Sequence, residues 1–461
     1  MPLIGTFIVP HPPLIIPEVG KGQEQKISKT IAAYQEIARR IAKLRPDTII
    51  VTTPHATMYA DYLHISPGTH AAGNFQDFGA TTVQLEVDYD MDFIQKLISI
   101  ANEEKLAVGT LGAKTKTLDH GTMVPLYFIN QTYQAYQLVR ISLAGLSPLF
   151  HYQFGKCIAK VAEQSEKKII IVASGDLSHK LKADGPYGLA EEGEIFDQQL
   201  TSAMKQGDFL RFLSFDGDFC EAAAECGLRS FIIMAGALDG KAIHAELLSY
   251  EGTFGVGYAV AAYKIIGIDE SRHFDQLFIA AEAERIAGIK LAEDEYVSLA
   301  RQSLEYYVKT HEVIRQPAKL PDDLSKGRAG VFVSLKINGR LRGCIGTILP
   351  TKANIAAEII RNAISAGTED PRFEPVRADE LNQLVYSVDV LGKASLVASI
   401  EELDVKRYGL IVTAKEKRGL LLPNLTGVDT PQQQVDIALQ KAGISKNEVY
   451  SMERFEVVRH K

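Results

Sequence analysis

Three short apolar runs, each cut off by a proline or a glycine, constrain the fold of this chain more than any other feature. They cover residues 3–9, 48–53 and 168–174. Apolar runs of this length that stop at a turn residue are typical of buried strands. Helical spacing of apolar residues recurs between and around them, at about 23–43, 91–105, 147–165 and 191–205. Strands that alternate with helices predict an α/β domain with a central mixed sheet flanked by helices.

Histidines follow these runs closely. His11, His55 and His179 each lie within five residues of the end of an inferred strand, and His120 occupies a fourth turn-like context. Functional residues of α/β sheets lie just past strand ends, where loops converge. Imidazole is also a neutral, directional ligand for iron, zinc or copper. Any one of these histidines alone is most simply a hydrogen-bonded structural residue, but four in proline- or glycine-framed loops indicate a site.

Composition narrows the classes of protein to which this chain could belong. The chain has 461 residues, enough for two or three domains of ~100–200 residues. A net charge of −7 gives no electrostatic footprint for nucleic acid or an anionic membrane. No stretch approaches ~20 uninterrupted apolar residues, so no transmembrane helix is expected. The four cysteines form no CxxC pair, which favours a reducing cytoplasm over a disulfide framework.

A change of pattern divides the chain. We predict a first domain over 1–265, a mixed and charged linker over 266–289, and a second domain over 290–461. In the second domain, strands near 330–337 and 340–346 flank Asn338-Gly339, which is a hairpin signal. Helices near 293–309 and 352–366 and strands near 384–391 and 409–414 complete an α+β pattern.

The motifs of the first domain resemble one known family. The quoted segments are VPHPPL at 9–14, TTPHA at 52–56, LDHGTMVPL at 118–126, SGDLSHKL at 174–181 and LSYEGTFGVGYAVA at 248–261. They are similar, in order, to the class III extradiol dioxygenases of the LigB type and to the related Memo family.

This resemblance implies a metal site and a reaction. It assigns His11, His55 and Glu251 as ligands of Fe(II), with zinc, copper or manganese as alternatives. It makes His179 the acid–base residue and places His120 facing the substrate. Two histidines and one carboxylate leave positions open on Fe(II) for a chelating substrate and dioxygen. The implied substrate is a small catechol- or aminophenol-like aromatic molecule.

Two alternatives stay open in the first domain. Memo-type relatives carry a non-carboxylate group near the third ligand, and a metal-binding accessory protein without dioxygenase activity is the second functional hypothesis. Cys226 begins an apolar helix and could face the pocket, but a buried inert thiol is the simpler interpretation.

The sharpest motif of the second domain is LRGCIGT at 341–347. Strand alternation would place Arg342 and Cys344 on one face, where the cation could lower the pKa of the thiol. The favoured alternative is a packed cysteine with the arginine in a salt bridge elsewhere. Arg372, in the later motif EDPRFEPV at 369–376, could line a cleft beside them.

These motifs, with YSVDVLG at 386–392 and RGLLLPN at 418–424, resemble the AMMECR family, also called AmmeMemoRadiSam system protein A. The resemblance implies a compact α+β domain of unsettled activity and a radical-SAM protein as a partner. Self-association is a further expectation, since related ring-cleaving enzymes often assemble from several subunits.

Overall fold

The computed structural model describes residues 2–115, 117–425 and 427–461. It divides into two compact units, Met1–Ile279 and Ala280–Lys461. The division falls inside the segment 266–289, which includes the end of a strand and most of a helix. None of the helices in the described part of the chain combines the length and apolar composition needed to cross a bilayer.

The first unit alternates strands and helices, as the sequence predicts. Its strands are β1 (Leu3–Val9), β2 (Thr48–Thr53), β3 (Leu63–His64), β4 (His70–Phe75), β5 (Ala80–Asp88), β6 (Val108–Gly109), β7 (Gln137–Ser142), β8 (Ile169–Ser174), β9 (Lys241–Glu251) and β10 (Tyr258–Ile268). Its helices are α1 (Pro17–Gly20), α2 (Ser28–Leu44), α3 (Met91–Glu103), α4 (His120–Asn130), α5 (Pro148–Glu163), α6 (Glu191–Gln206), α7 (Phe209–Leu213), α8 (Gly217–Ala223) and α9 (Leu228–Ala237). Helix α10 (Phe274–Ala292) contains the division between the units.

A six-stranded mixed sheet forms the centre of the first unit, in the order β7-β2-β8-β1-β10-β9. Strands β7, β2, β8 and β1 are parallel, and β10 and β9 add an antiparallel hairpin. Strands β2 and β8 are buried along their whole length. Their runs of isoleucine, valine and threonine suit a parallel sheet that is covered on both faces. The predicted α/β class with a central mixed sheet is confirmed.

The sheet collects several chain segments at one edge. The carboxyl ends of β1, β2 and β8 lie at this edge because these strands are parallel. Strand β9 runs in the same direction as β1, since both are antiparallel to the intervening β10. Residues that follow these strands are therefore candidates for one site.

The antiparallel hairpin of β4 and β5 lies outside the main sheet. A short turn over 76–78 and Gly79 connect its strands. The sequence interpretation did not include this hairpin.

The second unit is α+β, as predicted. Its helices are α11 (Glu295–Thr310), α12 (Asp322–Lys326), α13 (Ile355–Thr368) and α14 (Pro431–Ala442). Its strands are β11 (Val331–Ile337), β12 (Arg340–Gly346), β13 (Val385–Leu391), β14 (Ser395–Val397), β15 (Gly409–Ala414), β16 (Lys417–Leu421), β17 (Ser451–Phe455) and β18 (Val457–His460). They form two four-stranded sheets, β12-β11-β13-β18 and β14-β17-β15-β16. Asn338 and Gly339 both have positive φ in the β11–β12 turn, which matches the predicted hairpin.

Candidate metal centre

His11 lies directly past β1 and is held in one orientation. Its backbone N–H donates to Asp176 Oδ1 at 2.8 Å, and its Nδ1 is 3.0 Å from Ser174 Oγ. The Ser174 hydroxyl donates its proton to the carbonyl of Gly121 at 2.6 Å. Because a hydroxyl carries only one proton, His11 Nδ1 must be the donor to Ser174. His11 Nε2 is therefore unprotonated and free to bind an ion.

Two further side chains meet His11 Nε2. His55 Nε2 is 2.9 Å away and Cys226 Sγ is 3.7 Å away. One donor atom from each of these three residues lies within 4.8 Å of the others. Donors bound to one ion at ~2.0–2.3 Å are about 3–4 Å apart, and both distances to His11 Nε2 are close to this range. Two imidazoles and a thiol form the donor set of iron, copper or zinc sites.

Two glycines allow Cys226 to reach the histidines. Gly175 follows β8 and Gly227 follows Cys226. A Cβ on Gly175 would lie only 2.2 Å from the Cα of Gly227, so the two backbones touch. The N–H of Gly227 donates to the carbonyl of Asp176, and the N–H of Asp176 approaches Cys226 Sγ at 3.4 Å. Only residues without side chains permit this approach.

Burial controls the protonation of the cluster. Desolvation lowers the pKa of the buried His11 and, although its residue surface is exposed, that of His55, and it lowers the pKa of His120 to about 4. Mutual repulsion with His55 adds to the effect at His11 and His120. Burial, and then the Asp176 carboxylate, raises the pKa of the Cys226 thiol. The imidazoles are thus in the neutral form that ligation requires.

Glu251 does not join the cluster, which corrects the ligand set implied by the resemblance. Its Oε2 accepts the backbone N–H of Thr30 at 2.8 Å and the Thr30 hydroxyl at 2.7 Å, at the start of α2. The physical reason is the sheet order. Strand β9, which ends at Glu251, is separated from β1 by β10, and each strand spacing adds ~4.8 Å. Cys226 instead supplies the third donor atom of the cluster.

We therefore expect Glu251→Gln to leave metal stoichiometry unchanged. The substitution should lower the free energy of unfolding by about 0.5–2 kcal/mol, because the first turn of α2 loses a charged acceptor. Metal content after dialysis and urea unfolding would measure the two effects separately. A variant that lost its ion while keeping its stability would restore Glu251 as a ligand.

The two other predicted histidines lie beside the cluster. The ring of His120 is 4.0 Å from that of His55 and 5.5 Å from that of His11, measured between centroids. Asp119 caps α4 by accepting the N–H of Thr122, and so places His120 at the first helical position. His179 is close enough to repel a proton on His11, and its Nδ1 is buried without a partner among the described residues. Burial lowers its pKa as well.

A cavity of about 310 Å³ adjoins these rings, a size typical of small-molecule pockets. His55 and His120 form one part of its wall. Phe78, at the tip of the β4–β5 hairpin, forms another and contacts His120 edge-on at 5.3 Å. Met123 adds apolar surface, while His64 and Arg140 add polar surface. The hairpin that the sequence interpretation omitted thus supplies a wall of the pocket.

In the second unit, Arg342, Cys344 and Arg372 hold two motifs together. Arg342 donates to both carboxylate oxygens of Glu380 and to the carbonyl of Glu374. Arg372 binds Asp370 through two nitrogens and reaches the Cys344 carbonyl at 3.2 Å. Burial raises the pKa of the Cys344 thiol, despite the opposing effect of Arg372. This direction is the one expected for a packed cysteine rather than for an activated thiol.

Asp370 is central to the contacts between these two motifs, and its replacement should destabilise the second unit. The carboxylate accepts the backbone N–H of Cys344 at 2.8 Å as well as the Arg372 contacts, which hold its pKa well below the usual range. A carboxylate whose pKa is lowered in the folded state stabilises the fold at pH values above its unfolded-state pKa of about 3.9. This stabilisation is lost as the pH falls below that value. We expect Asp370→Asn to cost about 1–3 kcal/mol at pH 7, with the difference shrinking below about pH 4. Urea unfolding of the wild type and the variant at pH 7 and below about pH 4 would check this. An equal loss of stability at the two pH values would contradict it.

Comparison with known families accounts for both units. Residues 5–261 match the family of the catalytic LigB subunit of aromatic ring-opening dioxygenase. Residues 297–460 match the AMMECR1 family. Both matches agree with the resemblances drawn from the sequence motifs.

Individual relatives are similar to the whole chain or to about a third of it. Protein CA_C1420 of Clostridium acetobutylicum is 45% identical over 474 residues, covering 100% of both chains. A protein of Thermotoga maritima is 49% identical over 173 residues, which cover 37% of this chain and 99% of that one. The crystal structure of uncharacterized protein PH0010 from Pyrococcus horikoshii is 31% identical, covering 36% of this chain and 88% of that chain with a TM-score of 0.34.

Proposed function

Because this chain belongs to the LigB family and, in its second unit, to the AMMECR1 family, we propose that its first unit is a metal-dependent oxidoreductase. Its substrate is a small chelating aromatic molecule of the catechol or aminophenol class, and dioxygen is the co-substrate. One observation carries the proposal. Three donor atoms converge beside a cavity of ligand size, and His55 belongs to both.

His11, His55 and Cys226 would hold the ion. Ser174 fixes the His11 tautomer with Nε2 available, and Asp176 fixes its backbone. When bound, such an ion acidifies a coordinated hydroxyl and brings the aromatic substrate together with dioxygen. Iron(II) is the proposed ion for this chemistry. The thiol ligand also suits copper and zinc, because sulfur is a softer donor than a carboxylate.

The remaining histidines handle protons and position the ring. Burial lowers the pKa of His179, so its ring is neutral at pH 7, and a ring nitrogen of this histidine would accept the proton of the substrate hydroxyl. The same nitrogen would return that proton later in the reaction. His120 stays neutral and, with the edge-on Phe78, bounds the space available to the ring.

A second candidate function is metal binding without ring cleavage. The observation that favours it is Cys226, which takes the place of the carboxylate expected for an iron(II) oxygenase site. The second unit would then be the partner domain of an accessory protein. Both candidates require the same donor set, and they differ in what happens when substrate and dioxygen are present.

Anaerobic reconstitution with Fe(II) separates the two. For the oxidoreductase we expect a charge-transfer band on adding catechol or 2-aminophenol, followed by oxygen uptake on aeration. His179→Gln should keep the band but reduce turnover by about 10²–10⁴-fold, the usual contribution of an acid–base residue. Tight Fe(II) binding with neither a charge-transfer band nor oxygen uptake for catechol and 2-aminophenol would favour the metal-binding candidate.

A further inference from the structure

The backbone that carries His179 is held by hydrogen bonds from outside any helix or strand. Residues 177–179, which we call the His179 segment, lie in the connection between β8 and α6. Leu177 and Ser178 are fully buried. Buried backbone groups that belong to no helix or sheet must find their partners elsewhere. The partners of this segment therefore determine where the imidazole of His179 lies.

Most of these partners come from the start of β10 and the end of α8. The N–H of Leu177 donates to the carbonyl of Gly257 at 2.8 Å, and the N–H of Gly257 donates to the carbonyl of Ser178 at 2.8 Å. The carbonyl of Ala223 accepts the N–H of His179 at 3.2 Å and the Ser178 hydroxyl at 2.9 Å. These contacts leave one N–H of the segment, that of Ser178, to be satisfied.

Asp197 of α6 supplies the acceptor for that N–H. Its Oδ1 accepts from the Ser178 N–H at 2.8 Å, and its Oδ2 accepts from the Tyr250 hydroxyl at 2.7 Å. The residue is only 1% exposed. A Cβ on Gly257 would lie 2.0 Å from Oδ2, so the carboxylate occupies space that only a glycine leaves open. This bond fixes the backbone one residue before His179.

The carboxylate of Asp176, although closer to His179 in sequence, has a different role. Its Oδ1 accepts the backbone N–H of His11 and so supports a metal ligand. Asp197, in contrast, is neither among the converging donor atoms nor in the wall of the cavity. A buried carboxylate is costly unless its hydrogen bonds compensate for the lost water. The contact with the His179 segment is one of the two side-chain bonds that do so.

We infer that Asp197 is a positioning residue for His179, because its Oδ1 holds the Ser178 backbone and thereby keeps the neighbouring imidazole in place. The inference rests on the proposed function for the acid–base role of His179. Position matters because a displacement of about 1 Å at a reacting group costs on the order of 10²-fold in rate. Burial raises the pKa of Asp197 to about 7, and both the carboxylate and the carboxylic acid have an oxygen that can accept an N–H.

Two substitutions of Asp197 in the full-length, Fe(II)-loaded protein test the inference, with catechol as the substrate. Asp197→Ala removes the acceptor, so kcat should fall about 10–100-fold. KM and the charge-transfer band should stay unchanged, because Asp197 contributes to neither the donor set nor the cavity wall. Asp197→Asn keeps an oxygen for the Ser178 N–H and offers an N–H to the Tyr250 oxygen, so its kcat should stay within about threefold of wild type.

Asp239→Ala is the matched control for the loss of a buried carboxylate. The Asp239 side chain is 8% exposed and also accepts a tyrosine hydroxyl at 2.7 Å, that of Tyr152. Its ion pairs are with Lys156 and His273, neither of which belongs to the His179 segment. This variant should lose stability while keeping the wild-type kcat. An equal loss of kcat in Asp197→Ala and Asp239→Ala would overturn the inference.

Hydrogen exchange in the metal-free protein gives a measurement that is independent of turnover. The amides of the His179 segment should exchange at least about tenfold faster in Asp197→Ala than in wild type, Asp197→Asn or Asp239→Ala. Unchanged exchange in Asp197→Ala would overturn the inference. A large loss of kcat in Asp197→Asn would also overturn it, even if the alanine variant did not fold. If wild type failed to turn over catechol while the exchange pattern held, the proposed function would be rejected and Asp197 would remain the residue that positions His179.

Discussion

Cys226→Ser should weaken metal binding by at least about 100-fold, while His11 and His55 remain in place. Replacing a residue that only supports a metal ligand already lowers metal affinity by about 10–100-fold. A serine hydroxyl cannot replace a thiolate as a ligand for a soft or borderline ion. Cys226 Sγ lies 3.7 Å from His11 Nε2, at the convergence of the donor atoms. Competition titration against a chromophoric chelator would measure the affinity.

The matched control is Cys220→Ser. Cys220 is also a free, partly buried cysteine of the first unit, but it is not among the converging donors. The Cys220→Ser variant should keep the wild-type affinity for the metal. Equal loss in both variants would indicate a general effect on folding, and equal retention in both would remove Cys226 from the site.

Gly175→Ala should damage the metal centre without changing any donor. The new Cβ would stand 2.2 Å from the Cα of Gly227 and 3.1 Å from the ring of Phe231. Since the first of these is backbone, the segment that carries Cys226 must move away from β8. We expect a loss of about 3 kcal/mol in the free energy of unfolding, the upper part of the usual range for overpacking. Metal affinity should fall more than tenfold as Cys226 is displaced from His11.

Gly288→Ala provides the comparison for this variant. Gly288 lies in α10, and a Cβ there would meet nothing within 4 Å. Alanine favours a helix interior over glycine by about 1 kcal/mol, so this variant should be as stable as wild type or more so, with unchanged metal affinity. If Gly175→Ala behaved like Gly288→Ala, the close approach of Gly175 and Gly227 would not be what positions Cys226.

The sequence was sufficient to predict the sheet and the histidines because both depend on local patterns. Buried parallel strands appear as uninterrupted apolar runs, and each run places its histidine at the edge where parallel strands end. His11 and His55 therefore meet even though β8 lies between their strands. The small residues Ser174 and Gly175 at the end of β8 leave the space for that contact.

The third donor residue of the metal centre could not be predicted from the spacing of residues along the sequence. Glu251 ends a strand at the correct edge, but β10 separates that strand from β1. Cys226 comes instead from the turn between α8 and α9, where it follows the half-buried Glu225 and precedes Gly227. A cysteine beside a glycine at a helix start was the available signal, and it is ambiguous without the fold.

The pocket wall was missed for a different reason. The β4–β5 hairpin has weak strand character in β4, with glycine and asparagine near its end. Strand β5 does alternate, since Val83, Leu85 and Val87 are separated by polar residues, and period-two alternation predicts a half-buried strand. His64 and Arg140 carry no motif at all. Their place in the pocket follows only from the packing of β3 against the main sheet.

X-ray absorption spectroscopy of the metal-loaded protein tests the donor set most directly. The structure predicts one sulfur scatterer at about 2.3 Å and two imidazole nitrogens at about 2.0–2.1 Å, with the sulfur lost in Cys226→Ser and retained in Glu251→Gln. A first shell of nitrogen and oxygen alone, unchanged in Cys226→Ser and altered in Glu251→Gln, would contradict the assignment of His11, His55 and Cys226 as the metal ligands.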